Sequence, residues 1–382
     1  MTYRKFKASQ LFTGTEMLGD DVVLITKNDG TIEAIVNCSE GGEDIQQLNG
    51  ILCPGFINTH CHLELSHMKG LIPEHTGLVD FVLQVVTQRH FPEDAILEAI
   101  AKAEDDMLSA GIVAVGDICN NTLTISQKKL NRLRYHSFIE VSGWNPLVAS
   151  ARLEKSLEYY QAFQQVFPHH TSLSPHAPYS VSPDLWNRLL PFFVDQILTI
   201  HNQESEAENE LFQKGTGDFM RLYTTMEISN PSFKATGTNS LATFIPYMQK
   251  SKQLILVHNS FIQQQDIDLI LQKNKPVSFC LCPNANLYIE NTLPPVDLLL
   301  HNQLDICIGT DSLASNHQLS ILEEMKTLGL HFPHLTPDVL LKAATLNGAK
   351  ALGMDDELGS FEKGKKPGVL LLNGFTAVSR LL

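Results

Sequence analysis

Eight short apolar runs separated by amphipathic segments are the feature of this sequence that most restricts its fold. The runs are about five residues long and rich in Val, Ile and Leu, which is typical of parallel strands buried on both faces. The segments between them repeat apolar residues at helical spacing. This alternation predicts an α/β fold, and eight repeats favour a closed (β/α)8 TIM barrel over an open sheet. The predicted strands lie at 51–58, 112–117, 136–141, 171–176, 197–201, 254–258, 277–282 and 305–311.

The two ends of the chain have a different pattern. Short alternating runs flank Asn28-Asp29-Gly30, which predicts a β-hairpin near the N-terminus. Beyond Gly353, turn residues lead into one more apolar run, which we expect to pair with the N-terminal strands. We therefore predict a composite β-sandwich from residues 1–52 and 354–382, and a barrel over residues 53–353.

Composition narrows the classes of partner. The formal net charge of −14 argues against a nucleic-acid or anionic membrane surface, and no apolar run reaches the roughly 20 residues that span a bilayer. Seven cysteines, an odd number scattered along the chain, do not form a disulfide framework and fit a reducing compartment. We expect a cytoplasmic protein that acts on a small molecule.

Histidine or aspartate stands at the end of five predicted strands. The active sites of barrel enzymes are built at the carboxyl ends of the strands, so these side chains are expected to meet at one mouth. A single histidine there is usually structural, but this convergence predicts a metal site, because imidazole and carboxylate are ligands of Zn²⁺ and Fe²⁺. The residues concerned are His60, His62, His176, His201, His258 and Asp311.

Six motifs occur in a fixed order: PGFINTHCH (54–62), PHAPYS (175–180), HNQE (201–204), LVH (256–258), CPNAN (282–286) and GTDS (309–312). Over nearly the whole chain, this sequence resembles the amidohydrolase superfamily, specifically its cytosine, guanine and S-adenosylhomocysteine deaminase branch. The resemblance implies a metal-bearing (β/α)8 barrel with a small β-sandwich formed by both termini, in agreement with the periodicity. It also implies a homodimer by analogy.

The resemblance implies one divalent ion, zinc in preference to iron, held by His60, His62, His201 and Asp311. Relatives with two ions bridge them through a lysine on the fourth strand. His176 ends that strand here and no lysine is present, so we expect a single ion.

Glu204 is the residue that would decide the reaction. In the resembled family this glutamate carries a proton from water to the heteroaromatic ring, which deamination requires because protonation makes the ring carbon electrophilic. The alternative is a solvated glutamate in the acidic run that continues to Glu210. The resemblance further implies that His258 orients the attacking hydroxide, that Asp311 passes a proton to departing ammonia, and that His176 contacts the substrate.

The predicted substrate is a 6-aminopurine nucleoside derivative of the S-adenosylhomocysteine, methylthioadenosine or aminodeoxyfutalosine type. The alternatives are a guanine, cytosine or pterin deaminase, a chlorohydrolase, a cyclic-amide hydrolase, or a catalytically silent barrel that serves as a scaffold.

Some candidates remain open between a role in the site and a structural role. The segment 215–252 exceeds the length of a simple helical connection and is expected to lie near the mouth of the barrel. The open candidates are Glu64 and His67 after the first ligands, Cys282, Asn284 and Asn286 after the seventh strand, and Arg152, Arg188 and Arg221 for a substrate tail.

Overall fold

The computed structural model describes residues 3–382, so Met1 and Thr2, which the predicted first domain includes, lie outside the described residues. It has the mixed strand and helix content predicted from the periodicity. The strands are β1 Tyr3–Lys7, β2 Gln10–Phe12, β3 Met17–Leu18, β4 Val22–Lys27, β5 Ile32–Asn37, β6 Ile45–Gln47, β7 Ile51–Cys53, β8 Phe56–Cys61, β9 Ile112–Cys119, β10 Arg134–Val141, β11 Thr171–Pro175, β12 Ile197–Asn202, β13 Gln253–His258, β14 Val277–Leu281, β15 Ile306–Ile308, β16 Leu370–Asn373 and β17 Ala377–Arg380.

Helices fill most of the connections between the strands. The α-helices are α1 Leu78–Gln88, α2 Glu93–Ser109, α3 Ile125–Lys128, α4 Ala149–Gln164, α5 Pro183–Leu189, α6 Glu206–Lys214, α7 Asp218–Thr225, α8 Ser240–Phe244, α9 Gln264–Lys273, α10 Pro283–Glu290, α11 Val296–His301, α12 Ile321–His331, α13 Pro337–Ala344 and α14 Leu346–Ala351. Short 3₁₀ segments follow several strands, including Leu63–Met68 directly after β8.

Eight parallel strands form the centre of the protein as two sheets of four. One sheet has the order β11-β10-β9-β8, and the other has the order β12-β13-β14-β15. Backbone contacts join their edges: the His201 amide donates to the His176 carbonyl between β12 and β11, and the Asp311 amide donates to the His60 carbonyl beyond β15 and β8. The strands are almost entirely buried, as their continuous apolar runs predicted.

Strands from both ends of the chain pair with each other. β16 runs antiparallel to β7 and to β17, and β7 also pairs with β2, which gives a five-stranded sheet. The predicted hairpin is confirmed by the antiparallel pair β4 and β5, within a second sheet of order β5-β4-β1-β6. A buried cluster that includes Phe6, Leu24, Leu52, Phe361 and Leu371 packs between strands of the two sheets.

The predicted first strand, residues 51–58, is wrong in one respect, because it is two strands. Pro54 lacks a backbone N–H and Gly55 donates to the Pro367 carbonyl, so the ladder is interrupted between β7 and β8. β7 therefore belongs to the terminal sheet, and only β8 belongs to the parallel set.

Within residues 3–382, no helix combines the length and apolar character that a bilayer crossing requires.

Candidate metal and catalytic site

The end of β8 places two imidazoles side by side. His60 and His62 are both buried, and their Nε2 atoms lie 3.2 Å apart. This close packing needs Gly309, because a Cβ there would approach the His60 Cβ to 2.8 Å. Cys61, between the two histidines, points into the hydrophobic core, as the strand alternation predicted.

His201 and Asp311 complete the cluster from the opposite sheet. The His62 Nε2 atom lies 3.3 Å from the His201 Nε2 atom and 3.4 Å from Oδ1 of Asp311, and the same oxygen is 3.5 Å from the His60 Nε2 atom. Four donors around a tetrahedral ion with bonds of about 2.0–2.1 Å are separated by about 3.3–3.4 Å. The four side chains therefore fit one divalent ion of zinc's size.

The protonation states agree with metal binding. Burial lowers the pKa of His62 and lowers that of His201 well below its usual value, so both rings are neutral with a free nitrogen lone pair. The pKa of Asp311 is held well below its usual range, since the effect of burial is outweighed by its hydrogen bond with His60 and by the neighbouring imidazoles. Neutral imidazole and ionised carboxylate are the forms that bind cations.

His258 and Glu204 lie beside this cluster. The His258 Nε2 atom is 3.6 Å from Oε1 of Glu204, and its Nδ1 atom is 3.3 Å from the amide nitrogen of Asn286. His258 has a φ of 71° and Asp311 a φ of 57°, so both turn sharply out of the strand direction in the left-handed region. Such backbone costs about 1–3 kcal/mol for a non-glycine residue and is typical of functional sites.

The surroundings of Glu204 disfavour the charged form of its carboxyl. Burial, together with the charges of Asp311, Glu290 and Glu208, raises the pKa of Glu204 well above its usual value. Glu204 is also 3% exposed, whereas its neighbour Glu206 is on the surface. This separates Glu204 from the solvated acidic run that the sequence left as the alternative.

Two further groups lie beside the imidazole of His201, on the side away from the cluster. The His201 Nδ1 atom lies 2.8 Å from the His176 carbonyl oxygen and 3.6 Å from Oε1 of Glu140. A proton on Nδ1 would donate to that carbonyl and leave Nε2 free to face the cluster. The His176 side chain lines the cavity, with its Nδ1 atom 2.8 Å from the Ser180 hydroxyl.

Of the candidates whose role the sequence left open, some line the cavity and others make contacts elsewhere. Glu64 is buried, lines the cavity and accepts from the Asn120 amide, and burial raises its pKa to about 8. His67 instead contacts the Arg89 carbonyl and the Phe91 ring.

Of the three arginines, Arg152 lines the cavity. Arg188 pairs with Asp184, and Arg221 pairs with Asp80 and Asp218.

After the seventh strand, Asn286 contacts His258 and Asn284 is anchored on Glu324, so only the first touches the site. Cys282 is buried in the hydrophobic core.

Glu140 is the main residue that the sequence reasoning missed. It lies near the end of β10, contacts His201, and accepts from the Asn120 side chain at 2.9 Å. The available signal was a carboxylate inside a strand predicted to be buried, since charged residues are rarely buried without a partner. Its distance from His201 along the chain hid the contact.

The site opens into a cavity of about 640 Å³, a size that holds a drug-sized molecule. His62, His201, Glu204, His258 and Asp311 are among its lining residues, and so are three basic residues, namely Arg89, Arg152 and Lys155. Much of the remaining lining is apolar and comes from α1, from α7 and from the segments that follow α7 and β10. These residues are Leu78, Phe81, Val82, Val85, Trp144, Val148, Leu222, Tyr223, Met226 and Ile228.

Comparison with known proteins agrees with this arrangement. The sequence profile of the amidohydrolase family matches residues 51–378. A 5-methylthioadenosine/S-adenosylhomocysteine deaminase of Saccharophagus degradans is 26% identical over 341 residues, which is 85% of this chain and 71% of the relative. An aminodeoxyfutalosine deaminase of Nitratiruptor is 25% identical over 399 aligned residues, 99% of this chain and 94% of the relative. The crystal structure of Helicobacter pylori aminofutalosine deaminase with methylthio-coformycin has a TM-score of 0.81 at 25% identity, covering 97% of this chain and 93% of that chain.

Proposed function

This chain belongs to the amidohydrolase family, and we propose that it is a metal-dependent deaminase that hydrolyses the exocyclic C–N bond of a 6-aminopurine nucleoside derivative and releases ammonia. The family membership expected from the six motifs is confirmed. The observation that carries the proposal is a buried Glu204, whose pKa is raised, beside a cluster of three imidazoles and a carboxylate. The deaminases among its relatives support the reaction type.

The fold we propose is a closed (β/α)8 barrel over residues 53–353, with a β-sandwich from residues 1–52 and 354–382. Edge contacts between the two parallel sheets on both sides support closure, and the hydrophobic cluster between the terminal sheets supports the sandwich. In such a barrel the catalytic groups share the mouth at the carboxyl ends of the strands.

We propose a single divalent ion, zinc in preference to iron, with His60, His62, His201 and Asp311 as its ligands. The spacing of the donor atoms and the mixed nitrogen and oxygen set support this choice. When bound, the ion supplies a water molecule whose pKa is lowered toward neutrality.

The remaining steps belong to the side chains of this chain. Burial and nearby carboxylates disfavour the charged form of Glu204, and its protonated carboxyl donates to the ring nitrogen next to the reacting carbon. Ring protonation makes the carbon electrophilic. Glu204 is then a carboxylate and accepts a proton from the attacking water.

His258 orients the attacking group. Its pKa is lowered to about 3 by burial and by the neighbouring His60 and His62, so the ring is neutral and donates one hydrogen bond without carrying charge. Asp311 is ionised before the reaction, accepts the second proton of the attacking water once its oxygen has added to the ring carbon, and passes that proton to the amino group as ammonia departs. His176, which lines the cavity next to His201, contacts the bound substrate.

The cavity favours a substrate larger than a bare base. Its volume is about 640 Å³ and many of its lining residues are apolar, so that a substituent on the ribose would have apolar side chains to pack against. This supports the S-adenosylhomocysteine, methylthioadenosine and aminodeoxyfutalosine types over cytosine, guanine or a pterin. The basic side chains that line the cavity, Arg89 and Arg152 among them, suit a substituent with an anionic end.

We also propose a cytoplasmic location, for which the seven free thiols are the supporting observation. The homodimer stays a prediction of the resemblance.

The test is release of ammonia from a substrate panel by zinc-loaded protein. The panel contains methylthioadenosine, S-adenosylhomocysteine, aminodeoxyfutalosine, adenosine, guanine, cytosine, a pterin, a chlorotriazine and a cyclic amide. We expect ammonia from the substituted adenosines, at a higher kcat/KM than from any free base. Chloride release or ring opening would replace the proposal with a chlorohydrolase or a cyclic-amide hydrolase. No turnover with metal bound would favour the silent scaffold.

A further inference from the structure

Lys128 is a fully buried lysine that the proposed mechanism does not use. Its side chain is 1% exposed, and its Nζ atom lies 2.6 Å from Oδ2 of Asp117, 2.9 Å from the Ser137 hydroxyl and 3.2 Å from the Cys119 sulfur. The rings of Tyr135 and Phe163 have their centres 5.0 Å and 4.9 Å from the same nitrogen. All three ammonium protons therefore have acceptors.

Asp117 connects this lysine to the metal candidates. Its Oδ1 atom accepts from the backbone amide of Leu63 at 2.8 Å, and Leu63 follows His62 directly. The carboxylate is 0% exposed and sits on β9 in register with Cys61, between His60 and His62. Asp117 thus holds the backbone at the point where the chain leaves β8.

Lys128 and Asp117 form a buried ion pair. Burial alone would lower the pKa of Lys128, but the Asp117 carboxylate and the hydrogen bonds to it outweigh that effect, and the pKa is raised. A buried ion pair contributes little to stability compared with an apolar pair of similar volume, because both groups lose their hydration. Its effect is greater on geometry, since a paired carboxylate accepts in fixed directions.

We propose that Lys128 and Asp117 form a positioning pair that fixes the backbone after His62 and thereby sets the affinity of the site for its metal ion. The inference rests on the proposed function only in taking His62 as a ligand. Hydrogen bonds that orient ligands typically change metal affinity by about 10–100-fold when they are removed.

The experiment measures zinc affinity directly, by competition with a chromophoric chelator on full-length protein stripped of metal. Lys128→Met keeps the volume of the side chain and leaves Asp117 without its cation. We expect zinc affinity to fall about 10–100-fold, with kcat reduced and the substrate KM little changed. The double variant Asp117→Asn/Lys128→Met should recover part of the affinity, because the amide oxygen still accepts from Leu63 and no charge is left unpaired.

Tyr135→Phe is the matched control. It removes a buried hydrogen bond to Glu104 in the same cluster and keeps the ring beside Lys128, so it lowers stability without touching Asp117. Zinc affinity in this variant should equal that of the parent.

The result for Lys128→Met decides the inference. If Lys128→Met loses thermal stability yet binds zinc like the parent, the pair is only structural and the inference is overturned. If Lys128→Met does not fold, Asp117→Asn/Lys128→Met takes its place: zinc affinity below that of the parent is expected there, and parental affinity would overturn the inference. A parent protein that binds no zinc would instead remove the proposed metal site itself.

Discussion

The Nδ1 atom of His258 lies 3.3 Å from the amide nitrogen of Asn286, while its Nε2 atom faces Oε1 of Glu204 at 3.6 Å. Because the amide donates, Nδ1 accepts and the ring proton is on Nε2. The same amide donates to the Ser260 hydroxyl at 2.7 Å. In this arrangement Asn286 selects the tautomer of His258 that donates toward Glu204.

Glu204→Gln should abolish deamination while leaving the metal site intact. The amide keeps the shape of the side chain but has no carboxyl proton to exchange, and loss of a general acid and base typically lowers kcat by about 10²–10⁴-fold. The measurement is steady-state ammonia release together with zinc content. Glu206→Gln is the control, because Glu206 is exposed on the first turn of α6 and should have parental activity. Intact turnover in Glu204→Gln would remove the proton transfer from the mechanism.

Removal of the ion should lower stability as well as activity. Three imidazoles and a carboxylate converge within 3.2–3.5 Å, and a ligand that binds only the folded chain stabilises it by about 4 kcal/mol at a thousandfold excess over Kd. We expect a lower melting temperature after treatment with a strong chelator, and restoration of Tm and activity by one equivalent of zinc. Saturation only at two equivalents would contradict the single-ion site.

Tyr223→Ala should change substrate preference more than turnover. The Tyr223 ring stacks on Trp144 with the ring centres 4.9 Å apart, and its hydroxyl donates to the Tyr179 carbonyl at 2.6 Å. It lines both the main cavity and a neighbouring groove of about 340 Å³. Truncation merges the two spaces, so kcat/KM for methylthioadenosine should fall about 10-fold relative to adenosine, the effect of losing about 1.4 kcal/mol of apolar contact.

Met220→Ala tests whether that effect is specific. Met220 lies on the same helix, is 44% exposed and lines only the neighbouring groove. In Met220→Ala, the ratio of kcat/KM for methylthioadenosine to kcat/KM for adenosine should equal that of the parent. Equal shifts in both variants would mean that the helix, rather than the Tyr223 ring, determines the preference.

Glu208 predicts how stability depends on pH. Burial raises its pKa to about 7, and a carboxyl whose pKa is raised on folding destabilises the folded chain as the pH increases. The loss of stability begins above the pKa that Glu208 has in the unfolded chain, near 4.5, and is complete above about pH 7.

Glu208→Gln should remove this pH dependence. At pH 8 the free energy of unfolding of the variant should therefore exceed that of the parent by an amount on the order of 3 kcal/mol. The amide oxygen can still accept from the Gln203 amide and the Ser240 hydroxyl. Denaturant unfolding of parent and variant at pH 5, 6, 7 and 8 measures the difference, and parallel curves would contradict the prediction.

The strand ends were predictable because they follow from short-range rules. Apolar runs located the parallel strands to within a few residues, and the carboxyl-end rule then brought His60, His201 and Asp311 together although they are far apart in the chain. Alternation along β8 separated the face of His60 and His62 from that of Cys61. The prediction that Glu204 carries the proton needed the family resemblance as well.

Other features depend on tertiary contacts that no local pattern encodes. Lys128 reads as a surface residue of a short helix, and only packing beneath Tyr135 and Phe163 buries it. Glu140 contacts His201 because β10 and β12 lie close together, although the two strands belong to different sheets. The division of residues 51–58 depends on a partner strand near the other end of the chain.

That division also sets an order of events during synthesis. β7 leaves the ribosome long before β16, its antiparallel partner, and until then one edge of β7 has unpaired N–H and C=O groups. The connection through Pro54 and Gly55 leads straight into β8, whose end bears the first two histidines. All eight parallel strands, with the histidines and Asp311 at their ends, are therefore synthesised while this edge of β7 is still unpaired and open to pairing with other chains.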